Sequence, residues 1–220
     1  MVINEVTMGL FSGLFGNSTQ KRDATLIDWT DMKMWQFRHA NDVTPEMIFV
    51  GFMHGLVSFA RKDKQSTVTP PQLQHLHEYK NDAALFELGC YGYWRVLEFL
   101  AGSDLDHRDE VRDALFCEFV ILFRETLHDP NIDQICRHRL KTYGTFCVED
   151  ARPDRCLDLL TKLIARTRHS QQPTSCTDGD ACGELDPLDV MVLKTKITNW
   201  SEEVLPAILT VIKESVGRIR

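Results

Sequence analysis

Residues 81–100 read NDAALFELGCYGYWRVLEFL, and residues 106–127 read DHRDEVRDALFCEFVILFRETL. On a helical projection the first stretch sets Leu85, Phe86, Leu88, Tyr91, Tyr93, Trp94, Leu97 and Phe99 around most of the circumference. The second does the same with Val111, Leu115, Phe116, Phe119, Val120, Ile121, Leu122 and Phe123. A helix that is apolar nearly all round belongs inside a bundle, covered by its neighbours. Residues 47–60 (MIFVGFMHGLVSFA) form a third such run. It contains His54 and falls short of the ~20 apolar residues that a membrane span needs, so it reads as a core helix and no transmembrane segment is expected.

Proline marks where further helices begin, because its missing N–H costs nothing at the first helical position. Pro45 opens the 47–60 run, and Pro70-Pro71 follow Thr69, with Gln72 placed to close a capping box. Pro130, Pro153 and Pro187 each precede a 3.6-residue apolar stripe. These stripes are Ile132, Ile135, Cys136, Tyr143, Phe146 and Cys147; then Cys156, Leu157, Leu160, Leu163 and Ile164; then Val190, Leu193, Ile197 and Trp200. A last segment, 201–218, carries Val204, Ile208, Val211, Ile212 and Ser215 on one face, with Pro206 bending or delaying its start. Glycine at 51, 55, 89 and 92 costs helix propensity, about 1 kcal/mol each, which points to close packing at those positions. No alternating strand pattern competes. The expected fold is an all-α, single-domain multi-helix bundle of about eight helices with three largely buried central ones. The bundle spans residues 23–220, preceded by an apolar arm and polar linker at 1–22 and interrupted by a mobile acidic loop at 170–185.

The formal net charge of −7 opposes a phosphate-backbone partner, so no nucleic-acid binding is expected. The basic runs Arg137-His138-Arg139 and Arg166-Thr167-Arg168-His169 are short and fall late in expected helices, where the dipole favours cations. The seven cysteines cannot all pair within one chain. Cys90, Cys117, Cys136, Cys147 and Cys156 lie in or beside apolar helical stretches, where a free thiol behaves as a small hydrophobe. With no signal peptide visible, this reads as a reducing, cytoplasmic setting.

Candidate chemistry is sparse. His128-Asp129 follows an apolar run (FVILFRETLHDP) and resembles the paired His-Asp metal ligands of a large class of helical phosphohydrolases. That resemblance implies a metal-dependent enzyme completed by a further histidine upstream and an aspartate downstream. His107 shares the same expected helix with His128 and would stand roughly 30 Å away at 1.5 Å per residue, so His75 or His77 would have to serve. A helix-end histidine and a capping aspartate account for the pair without chemistry. Glu125-x-x-His128 occurs once, whereas a di-iron bundle needs two such motifs. The loop 178–189 places Asp178, Asp180, Gly183 and Leu185 at calcium-loop offsets, but Cys182 and Asp189 depart from the pattern. No catalytic constellation, metal site or cofactor is assigned, and non-enzymatic action is the preferred expectation.

The N-terminal segment GLFSGLFG at 9–16 is the least explained feature. Leu10, Phe11, Leu14 and Phe15 are large apolar residues outside any core helix, and such residues seek a surface to cover them. They are the expected partner-binding residues, for a protein partner or for self-association. The functional expectation is a helical interaction or regulatory protein of unspecified role.

Overall fold

The computed structural model describes residues 26–40, 42–61, 81–146, 153–170, 173 and 186–219. Helix α1 (Leu26–His39) and α2 (Pro45–Arg61) come first, followed by α3 (Asp82–Ala101) and α4 (Arg108–Leu127). Then come α5 (Ile132–Gly144), α6 (Pro153–Ser170), α7 (Pro187–Asn199), a π-turn (Trp200–Val204) and α8 (Leu205–Val216). Among the described residues there is no strand, and no helix is long and apolar enough to cross a membrane.

The three apolar runs form the centre. Helix α3 touches α2, α4, α5 and α6, while α2 also receives α1 and α8. Burial is not shared equally. From Ala83 to Trp94 every residue of α3 is buried, whereas α4 hides Val111, Leu115, Phe119, Leu122 and Phe123 and turns Arg112, Asp113, Arg124 and Glu125 to water. Rings fill the α2–α3–α4 junction: Phe119 lies 4.8 Å from Phe123, 5.6 Å from Phe86 and 6.4 Å from Phe52, centroid to centroid. Edge and offset contacts of this kind add to the area they bury.

Local chemistry sets the helix ends. The Asn81 side chain accepts the Ala84 N–H at 2.7 Å and donates to the Thr167 carbonyl at 3.0 Å, so one residue caps α3 and ties it to α6. Asp186 caps α7 through the Leu188 N–H at 2.8 Å, with Pro187 behind it. Prolines 45 and 153 stand first in their helices as expected. Pro130 does not: the Asp129 carboxylate takes the Asn131 N–H at 2.8 Å, and that tight turn holds Pro130 outside α5, which starts at Ile132. The start expected at residues 69–71 lies outside the described residues, as do 1–22, most of 170–185 and Cys147. Helix α1, whose apolar periodicity is weak, was not singled out from sequence; it buries Leu26, Trp29 and Phe37 and packs on α2.

The α-helical geometry expected from residue 201 begins only at Leu205, next to Pro206, after a π-turn. Helix α7 runs through the π-turn into α8, where the Leu205 N–H bonds the Trp200 carbonyl five residues back. A regular turn would drive the proline ring into the carbonyl four residues earlier, and the wider turn relieves that clash. The π-turn also seats Trp200, which is buried and donates from Nε1 to the Gly55 carbonyl at 3.4 Å.

Of the glycines at 51, 55, 89 and 92, two are required by contact. A Cβ at Gly55 would run into the side chain of Ile208. One at Gly89 would strike the Phe119 ring and sit 3.2 Å from Leu56 Cδ1. Because Phe119 is wedged between other rings, Gly89→Ala is expected to cost about 1–3 kcal/mol by overpacking. At Gly144 a Cβ meets nothing within 4 Å, and Gly144→Ala should be neutral or stabilise by up to about 1 kcal/mol. Chemical denaturation of the two variants measures both.

Candidate functional site

The His-Asp pair ends a helix. His128 closes α4 in the left-handed conformation at φ 53°, and His107 opens the same helix at φ 59°. These are the two non-glycine residues of positive φ among those described, a conformation in which histidine is enriched. His128 is exposed, and one Asp129 oxygen is engaged by Asn131. His107 Nδ1 lies 2.7 Å from Glu110 Oε2, a full helix length from His128. No three of the described His, Cys, Asp and Glu side chains are grouped to hold a metal ion. His75, His77 and the 178–185 part of the loop considered for calcium lie outside the described residues.

The polar cluster that sequence did not reveal is internal. Arg139 occupies the buried stripe of α5 together with Ile132, Cys136 and Tyr143. Its Nε and Nη2 donate to the two carboxylate oxygens of Glu87 on α3 at 2.9 and 3.0 Å. The two side chains are 3% and 0% exposed. Fork-on-fork geometry satisfies both charges where water cannot. Around the pair stand Cys90, whose thiol burial pushes well up, and Tyr143, whose hydroxyl is fully enclosed with no hydrogen-bond partner among the described residues. The Tyr143 ring packs 5.5 Å from Tyr91 and 5.8 Å from Trp94. The tyrosines and tryptophan of α3 thus fill space with one another; Tyr93 donates to the Arg112 carbonyl at 2.9 Å.

Several surface expectations change. Arg139 and Arg166 are buried, so neither basic run presents its full charge outward. Arg137 lies over the Phe116 ring at 4.5 Å and bonds Asp133 at 2.9 Å. Cys117 is exposed on α4, while Cys90, Cys136 and Cys156 are buried as expected. The turn into α4 forms an open depression lined by Asp104, Asp106, His107, Arg108, Asp109 and Glu110. Its charges are used locally: Arg108 donates to the Ser103 carbonyl, and Arg112 pairs with Asp109 and Asp113.

Among the described residues, α7 carries the two most exposed large apolar side chains. Leu188 and Met191, three residues apart on one face, are 53% and 59% exposed. Met32 of α1 is the other residue near half exposure. The partner-binding candidates Leu10, Phe11, Leu14 and Phe15 lie outside the described residues.

Removing one member of the internal pair strands the other charge. Glu87→Ala is expected to destabilise by about 3–5 kcal/mol, and the double change Glu87→Met with Arg139→Met to recover most of that loss. Urea midpoints of the single and double variants check it.

Compared with models of known protein families, with curated proteins and with solved structures, the chain finds no match in any of the three.

Proposed function

We propose that this chain is a non-enzymatic helical interaction protein, regulating or scaffolding a protein partner through apolar surface left uncovered on the bundle. Leu188 and Met191 carry this reading. Both sit more than half exposed on the solvent side of α7, whose opposite side packs on α6 and buries Leu193 and Ile197. A helix of this kind has a paid-up inner face and needs no apolar residues on its outer one; large side chains there gain only if a second surface covers them. The arm residues Leu10, Phe11, Leu14 and Phe15 are the second proposed contact, on chemistry alone. A reducing, cytoplasmic setting belongs to the same proposal.

Photocrosslinking from position 191 in living cells tests this directly. The expected result is a discrete adduct with a protein or with a second copy, abolished by Leu188→Glu and not obtained from the exposed control position 124. Solvent-quenched label alone would overturn the reading. Native mass spectrometry of the purified chain supplies the opposing outcome: a bound metal mass that disappears in Asp129→Asn would move the function to the His128-Asp129 pair.

A further inference from the structure

We draw no further inference here: the strongest candidate, the exposed patch of Leu188 and Met191 on α7, is the surface already proposed for partner contact, and nothing in the structure shows what covers it.

Discussion

Helix α3 cannot meet water along most of its length, and the bundle is arranged around that constraint. From Ala83 to Trp94 it offers no exposed residue. Each side therefore needs a cover: α2 and α4 through interlocked phenylalanines, α5 through the Glu87–Arg139 pair, and α6 at the Asn81 cap. Burial of apolar area supplies most of the driving force. The polar ties add register, since a bidentate ion pair fixes how α5 slides and rotates against α3 in a way that methyl groups do not.

The same enclosure explains the two tight glycines and the π-turn. With α3 surrounded, the second shell must come close. Gly55 receives Ile208 and the Trp200 indole, while Gly89 receives the edge of Phe119. The widened turn before Pro206 keeps the backbone hydrogen-bonded from α7 into α8 while turning Trp200 inward onto α2 and α3. A sequence feature that ordinarily ends a helix is thus absorbed by local unwinding.

Much of this architecture was legible in the residues themselves, for physical reasons that differ by element. The all-round apolarity of 81–100 marks a helix that its neighbours must enclose, and Pro45, Pro153 and Pro187 mark helix starts because a proline ring is pre-formed for them. Pro130 misled by two residues because the side chain before it could make its own turn, a competition that no periodicity records. Helix α1 was missed because tertiary packing on α2, rather than a strong stripe, secures its few buried residues. The polar interior was illegible for another reason. Glu87 and Arg139 are 52 positions apart, and each alone looks like an ordinary surface charge on a helix. Arg139 did occupy a core position of its stripe, at i+3 from Cys136 and i−4 from Tyr143, and that register was the available signal. The residues proposed for partner contact were least legible, because exposure of Leu188 and Met191 depends on which side of α7 its neighbours cover.

If enclosure of α3 organises the bundle, its amides should open last. Native-state hydrogen exchange under increasing denaturant measures this most directly. Amides of α3 between residues 86 and 96 are expected to exchange only through global unfolding, with the free energy and denaturant dependence of the whole chain, while α1 and α7 open earlier. Exchange of α3 through a local opening, at a free energy no higher than that of α1, would contradict the account.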